Sequence, residues 1–456
     1  MCVAILRRLI SQFGASSPPG TVVVPKRHRH GVILLLAAIA FAANASFCVL
    51  LPFYPQELAA RHANKDANDA GDQTSISREV GIVFSACSLS YFLFALRSGS
   101  WIDAIGAKPI LVWGTLALGA ATLSLAALAF VVDYTLFVAL SFVVAVFQGM
   151  TGAAGETACF ALACREFPDN VGTVVGVLEQ GVGIGIMLAS PIGGSLYSVG
   201  GFTLPFLVLG TLLLVCAALA ATSSFDYAVV RVGPGSPEPV TTWTLLKNAQ
   251  LSLCASCGVV TASLLGFLDT NLATFLTDTY SMTPGKIGVV FVLSRVFYAI
   301  LAPLIGNMAD RLGPRRIISL GLALCWIGIF MMATYRYLWA FIFAQVVMGL
   351  GVAMGSIPCF SDIMRTATGG QEDSDSVVEW SGHVSGLLAA AFAFGEGVGS
   401  LAGGIVADSF GFYGSAGIFG LLVFFHWTTY VVLAVCFHRR KFSVLSSLQN
   451  GSIRTV

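Results

Sequence analysis

The sequence predicts an all-α polytopic membrane protein with twelve transmembrane helices, arranged as two six-helix pseudo-symmetric halves. Three observations predict this fold class: an apolar composition, twelve separate apolar runs and an internal repeat. Of the 456 residues, 56% are hydrophobic and only 10% are charged, and the mean hydropathy is +0.85. Because a soluble protein of ordinary size needs a more polar composition, the chain is expected to lie in a membrane.

The apolar runs are long enough to be counted as membrane spans. A helix satisfies its own backbone hydrogen bonds within lipid and needs about 20 apolar residues to cross it. The expected spans are residues 31–53, 79–98, 109–131, 135–162, 172–198, 203–223, 250–276, 286–306, 317–335, 337–360, 384–407 and 413–437. The N-terminal half is therefore placed at 31–223 and the C-terminal half at 250–437. A polar linker is expected at 224–249, with cytoplasmic tails at 1–30 and 438–456.

Two groups of residues recur at constant spacing along the chain. At a spacing of 207 residues, one group pairs Gly99, Asp103, Gly106 and Lys108 with Gly306, Asp310, Gly313 and Arg315. At a spacing of 210 residues, the other pairs Gly193, Gly194, Gly201 and Phe202 with Gly403, Gly404, Gly411 and Phe412. Repeats in the same order and orientation predict two parallel halves, related by an axis along the membrane normal.

The distribution of basic residues predicts the orientation in the membrane. An even number of spans places both termini on one side. If the tails and the 2–3, 4–5, 6–7, 8–9 and 10–11 loops are cytoplasmic, that side carries about 17 Lys and Arg residues, against about five on the other. The whole chain has 24 basic and 23 acidic residues, which does not indicate a nucleic-acid partner. Its 11 Cys residues lie mostly in apolar runs and predict no disulfide framework.

The charged turn at residues 306–316 reads Gly-x3-Asp-Arg-x-Gly-x-Arg-Arg and includes Arg311 and Arg316. It resembles the signature between helices 2 and 3 of the major facilitator superfamily. Glycines permit a tight turn, and an Asp at a helix end can pair with a basic side chain or a neighbouring helix end. We expect the two copies to latch the cytoplasmic face of an alternating carrier, although a turn that only follows the positive-inside rule is the alternative. Ala104 replaces the usual basic neighbour in the first copy, so weaker charge pairing is expected there.

The fifth span resembles the proline-and-glycine motif of proton antiporters for drugs and amines. Small residues let two helices approach closely, and a proline leaves a backbone carbonyl free so that the helix can bend. General helix packing is the alternative interpretation. The residues of this motif are Gly181, Gly185, Pro191, Gly193 and Gly194.

Further segments resemble the vesicular polyamine transporter branch of the vesicular amine transporter family. These segments are residues 51–57, 167–171, 201–210, 266–269 and 383–387. The resemblance implies proton-exchange loading of organic cations. Two departures leave a monoamine substrate unsupported. The first-span Asp of the monoamine and acetylcholine carriers is replaced near Ala43 and Asn44, and the fourth-span Arg is replaced by Ala145.

Ionisable side chains within the spans are the candidate functional groups, because each costs at least about 2.5 to 3.5 kcal/mol at a helix centre. Four acids against one deep base give the negative excess that a cationic substrate requires. Burial also favours the neutral acid, which would let the same groups exchange a proton. The candidates for substrate or proton binding are Asp269, Glu396, Glu156, Glu179 and Arg295, with Tyr91 and Tyr298 as cation–π candidates.

Each candidate has a structural alternative. Asp269 is the strongest candidate for cation binding because it lies in the 266–269 segment of the polyamine-branch resemblance. Arg295 could only neutralise a neighbouring acid, and Glu179 could face cytoplasmic water near its end of the span. The two tyrosines could serve packing, which is the usual role of aromatic residues in membrane helices.

The sequence therefore predicts a secondary active transporter that exchanges protons for a polyamine or related amine by alternating access. The alternatives are a drug-type proton antiporter, a carrier of another small organic solute and, from a different class, a membrane receptor without transport. No enzyme activity is expected, and no cofactor or metal apart from the coupling proton. The expected partners are a small cation, protons and membrane lipid, with no nucleic acid and a functional monomer. An intracellular vesicle or other acidic compartment is the expected location, with the plasma membrane as the alternative.

Overall fold

The computed structural model describes residues 26–65, 74–166, 171–223, 249–367 and 374–452. Within these ranges the chain forms α-helices, one short 3-10 helix and turns, without a β-strand. Residues 1–25 of the expected N-terminal tail and residues 224–248 of the expected linker lie outside the described ranges. The domain boundaries therefore stay predictions.

Twelve α-helices are present in the described ranges. The first seven are α1 (Lys26–Cys48), α2 (Tyr54–Lys65), α3 (Thr74–Ile105), α4 (Ala107–Ala127), α5 (Tyr134–Glu166), α6 (Val171–Gly200) and α7 (Thr203–Thr222). The others are α8 (Ala249–Tyr280), α9 (Pro284–Leu312), α10 (Pro314–Thr334), α11 (Leu338–Ala367) and α12 (Ser374–Ser452).

The helices account for the expected membrane spans. In the described ranges, 10 helices are long and apolar enough to cross a membrane. Helix α12 is broken by non-helical backbone at Gly411, which divides its 49-residue apolar segment near the expected boundary between the last two spans. Helix α9 covers the expected eighth span. The all-helical membrane fold is confirmed, and the helices are consistent with twelve spans.

The repeated glycines adopt the same backbone conformation in both copies. Gly106 and Gly313 have φ values of 104° and 91°, and Gly201 and Gly411 have values of 66° and 65°. Glycine adopts positive φ at no steric cost, whereas other residues are strained there. The internal repeat therefore preserves turns as well as apolar runs.

The described helices fall into two compact units. The first unit contains α1, α2, the part of α3 from Ala86, α4 to α7 and residues 283–288. The second contains α3 up to Ser85, α8, the part of α9 from Val289, and α10 to α12. Neither unit is a simple block of sequence, because α3 and α9 are each divided between the two units.

Glycines bring α1 and α6 of the first unit into backbone contact. A Cβ atom added at Gly181, Gly185 or Gly193 would lie 2.8, 2.5 or 2.5 Å from the carbonyl oxygens of Ala37, Phe41 and Val49, respectively. At these distances a larger residue would force the two helices apart. Pro191 lies within α6 beside this contact, and a Cβ added at Gly194 would collide with the Pro284 carbonyl.

The second unit repeats this contact between α8 and α12. A Cβ atom added at Gly395 would collide with the carbonyl oxygen of Val259, and one added at Gly403 would lie 3.1 Å from the Cα atom of Phe267. A serine at the equivalent position of each unit strengthens the crossing. Ser190 Oγ donates to the carbonyl of Cys48 at 3.3 Å, and Ser400 Oγ donates to that of Gly266 at 3.2 Å.

Helix α2 occupies a region that the hydropathy pattern treated as a loop, residues 54–78. Its Glu57 carboxylate accepts hydrogen bonds from Arg61 Nε at 2.9 Å and from Tyr197 Oη at 3.0 Å. The guanidinium of Arg61 also lies 4.2 Å from the centre of the Phe137 ring. These contacts hold the short polar helix α2 against the rest of the first unit. At the other end of the chain, α12 continues to Ser452, beyond the expected end of the last span at residue 437.

Candidate functional site

The first unit contains a carboxylate surrounded by neutral hydrogen-bond donors. Asn44 Nδ2 donates to Glu156 Oε1 at 3.3 Å, and Tyr91 Oη donates to Glu156 Oε2 at 2.9 Å. These residues come from α1, α3 and α5, and we call them, with Phe47, the Glu156 group. No ion pair involves Glu156 in the part of the chain that the structure describes.

Aromatic rings line one side of the Glu156 group. The rings of Phe47 and Tyr91 meet edge to face, with their centroids 6.4 Å apart and their planes at 87°. Phe47 packs against Gly152, one helical turn before Glu156, where any added Cβ atom would collide with the ring. A carboxylate, an amide, a phenol and a phenyl ring are together suited to hold a cation.

The second unit contains two acids and one base. Arg295 Nη2 donates to both carboxylate oxygens of Asp269, at 2.6 and 2.7 Å. Their side chains are only 6% and 4% exposed. The Glu396 carboxyl lies within hydrogen-bonding reach of the Asp269 carboxyl. We call these three residues, which come from α8, α9 and α12, the Asp269 group.

Charge compensation differs between the two groups. Separating a buried ion pair leaves an uncompensated charge in a low-dielectric environment, which is strongly unfavourable. Arg295 therefore offsets the negative charge of Asp269 inside the protein, while Glu396 adds a second acid beside the pair. The base was foreseen as a candidate, and the structure identifies Asp269 as its partner.

The repeated charged turns make contacts within their own units. Arg315 Nε donates to Asp362 at 3.2 and 3.4 Å, and Lys108 Nζ donates to the carbonyl of Ser223, just after α7, at 2.5 Å. Arg311 and Arg316 are exposed. Asp362 was not among the predicted residues, because it lies two residues beyond the expected end of the tenth span.

Several candidate residues cannot be placed by their side chains. The side chains of Asp103, Asp310, Glu179 and Tyr298 are not among those that the structure describes. Gly99 and Gly306 lie within α3 and α9, and no described residue outside the helix backbone lies within 4 Å of a Cβ added at Gly306. The latch formed by the two turns therefore stays a prediction.

Two residues of the Glu156 group had no direct signal in the sequence. In the sequence, Asn44 is only a neutral residue near the position where related carriers have a first-span acid. Its hydrogen bond to Glu156 joins residues that are 112 positions apart. Phe47 is one of 33 Phe residues, and an aromatic residue in an apolar run usually indicates packing. Only the packing of α1 against α5 identifies either one as a neighbour of Glu156.

Comparison with known proteins agrees with this architecture. Residues 33–270 and 254–447 match the Major Facilitator Superfamily. The MFS-type transporter SLC18B1 of Homo sapiens is 30% identical over 404 residues, which cover 86% of this chain and 84% of the relative. The synaptic vesicular amine transporter of Homo sapiens is 25% identical over 277 residues, covering 60% of this chain and 52% of the relative.

A solved structure supports the fold independently. The structure of a bacterial homolog to the human lysosomal transporter Spinster aligns with a TM-score of 0.69 at 14% identity. The alignment covers 90% of this chain and 98% of the bacterial protein. The resemblance to major facilitators and vesicular amine transporters is thus confirmed. The chain belongs to the Major Facilitator Superfamily and is a multi-pass membrane transporter.

Proposed function

We propose that the protein is a secondary active transporter that exchanges protons for an organic cation, a polyamine or related amine, by alternating access. The observation that carries the proposal is the excess of acids over bases in the described interior of its apolar helices. Asp269 is offset by Arg295, whereas Glu156 and Glu396 are two further acids without a further base in the ion pairs of the described residues. Because charges within membrane helices are costly, this excess favours a cationic substrate over an anionic one.

The Asp269 group supports proton coupling. A hydrogen bond between two carboxyl groups requires one of them to carry a proton. Loss of that proton would leave two negative charges beside a single guanidinium, and the like charges would repel. We assign the exchanged proton to the Asp269 and Glu396 carboxyls, so that no cofactor is needed.

The relatives support the substrate class and the location. The name of one relative, the synaptic vesicular amine transporter, includes both an amine substrate and a vesicle location. An acidic vesicle would supply the proton gradient for uptake from the cytoplasm, and the basic residues favour cytoplasmic termini. The proposal places a functional monomer in such a membrane, with the plasma membrane as the alternative.

The test is uptake by purified protein in liposomes with an acidic interior. The substrate panel contains spermine, spermidine, serotonin, acetylcholine and an organic anion. We expect concentrative uptake of the polyamines that stops when a protonophore collapses the pH gradient. Uptake that continues unchanged after this treatment would rule out proton coupling. Saturable binding without flux would indicate a receptor.

A drug-type proton antiporter is the second candidate, because the fifth span, now α6, resembles the glycine and proline motif of such antiporters. The same liposomes distinguish the two functions. A drug-type antiporter would prefer bulky apolar cations and would discriminate weakly among them. Strong preference for spermidine or spermine over an aromatic cation would favour the polyamine carrier.

A further inference from the structure

The two acidic groups are built for different ions. The Asp269 carboxylate already holds a guanidinium, whereas in the described chain Glu156 is held only by neutral donors. We propose that the Glu156 group is the subsite for an ammonium group of the substrate, separate from the proton-carrying Asp269 group. This division of roles rests on the proposed amine–proton exchange.

The hydrogen bonds of Glu156 leave room for a substrate. A carboxylate has about four acceptor positions, and Asn44 and Tyr91 use one on each oxygen. Asn44 Nδ2 also donates to the carbonyl of Ala40 at 3.0 Å, which fixes its orientation in α1. The exposure of Glu156 as a residue is intermediate, and the proposal requires an ammonium group to reach the remaining acceptor positions of its carboxylate.

The chemistry of the subsite predicts which ammonium groups it accepts. A primary or secondary ammonium has at least two N–H donors for the carboxylate, while a quaternary ammonium has none. Phe47 and Tyr91 would contact the adjoining methylene groups and add cation–π attraction. The subsite should therefore prefer primary and secondary amines to quaternary amines of similar size.

The Asp269 group is less suited to an amine. Both oxygens of Asp269 accept from Arg295, and Asp269 is only 3% exposed. An incoming ammonium would have to compete with a guanidinium that is already in place. A proton can bind between Asp269 and Glu396 without displacing Arg295.

Two transport assays separate the roles. Equilibrium exchange of radiolabelled spermidine across liposomes requires substrate binding but no net proton movement, whereas accumulation driven by a pH gradient requires both. We expect Glu156→Gln to raise the spermidine concentration at half-saturation by at least about tenfold in both assays, because a hydrogen bond to a charged group is lost. Glu396→Gln should abolish accumulation and retain exchange.

Smaller changes within the Glu156 group provide a graded test. Tyr91→Phe removes one neutral donor and should raise the spermidine concentration at half-saturation by about fivefold. Glu156→Asp keeps the charge and should retain measurable exchange. Asp278→Asn is the matched control, because Asp278 is an exposed acid on α8 and its loss should leave both assays unchanged.

Substrate competition tests the chemistry directly. Spermidine that is methylated to a quaternary ammonium at every nitrogen should compete with spermidine at least about tenfold more weakly in the wild type. Glu156→Gln should remove this difference. Undiminished exchange by a well-folded Glu156→Gln variant, or loss of exchange by Glu396→Gln, would overturn the division of roles while amine transport itself stands. If the wild type exchanges and accumulates no amine, the proposed function fails together with the inference.

Discussion

The two units share a scaffold and differ in the charges that they bury. In both units, the first span contacts the fifth span through glycines, as α1 with α6 and as α8 with the first part of α12. Ser190 and Ser400 make equivalent hydrogen bonds to backbone carbonyls. On this common frame the first unit surrounds Glu156 with neutral donors, while the second pairs Asp269 with Arg295. The comparison shows that helix packing was retained in both halves while the chemistry of each half diverged.

The difference has a physical consequence for each acid. Removing one partner of a buried acid–base pair is destabilising, because it leaves the other charge uncompensated in the interior. An acid that is held by neutral donors leaves no such charge when it is replaced. The Asp269 group should therefore be sensitive in stability assays, and the Glu156 group mainly in transport assays.

The largest expected effect follows from replacing Asp269 with Asn. Arg295 would remain buried without its carboxylate, which should lower stability by about 3–5 kcal/mol. Thermal unfolding of the detergent-purified protein measures the loss. Asp278→Asn on the same helix is the control, and proton-driven uptake should also disappear in Asp269→Asn.

The double variant Asp269→Asn with Arg295→Gln sharpens this result. Removing the unpaired guanidinium should restore most of the lost stability, because the uncompensated buried base is then gone and Glu396 can stay protonated and neutral beside the two amides. Wild-type stability in the single variant would show that the pair does not compensate charge as proposed. Normal cation transport in that variant would refute the site assignment.

The shared scaffold can be broken in both units by the same substitution. Gly185→Ala and Gly395→Ala each place a Cβ atom against a backbone carbonyl, so each should lower stability by about 1–3 kcal/mol through overpacking. Gly31→Ala is the control, because among the described residues, apart from the backbone of its own helix, nothing lies within 4 Å of its added Cβ. Thermal unfolding measures all three variants. A neutral result in only one unit would contradict the equivalence of the two contacts.

The two copies of the charged turn should differ modestly. Arg315→Gln removes a partly exposed ion pair with Asp362 and should lower stability by about 1 kcal/mol or less. Lys108→Gln removes a contact with the end of α7 and should cost about 0.3–1 kcal/mol. The exposed Arg316→Gln is the control. Unfolding at low and high salt tests the ranking, since added salt should reduce both effects.

Glu156→Gln is expected to have only a small effect on stability. Gln keeps an acceptor for one of the two donors and leaves no buried base unpaired, so that stability should change by less than about 1 kcal/mol. The same preparation should show the large loss of spermidine exchange described above. A loss of stability as large as that of Asp269→Asn would remove the contrast between the two groups.

The apolar runs and the internal repeat of the sequence predicted much of the fold. The apolar runs matched the long helices because lipid requires each crossing segment to be helical and apolar. The repeated glycines marked four turns with positive φ, since no other residue adopts that backbone without strain. Helix α2 was missed because its stability comes from contacts of Glu57 and Arg61 with distant residues.

The sequence by itself determined the membrane fold, the duplication and the small set of acids within the helices. Those features follow from local composition and spacing, which hydropathy and backbone geometry constrain directly. The tertiary structure decided which acid meets a base and which meets only neutral donors. Asp269 and Glu156 lie on separate helices from all of their partners, and only packing determines which faces of those helices meet.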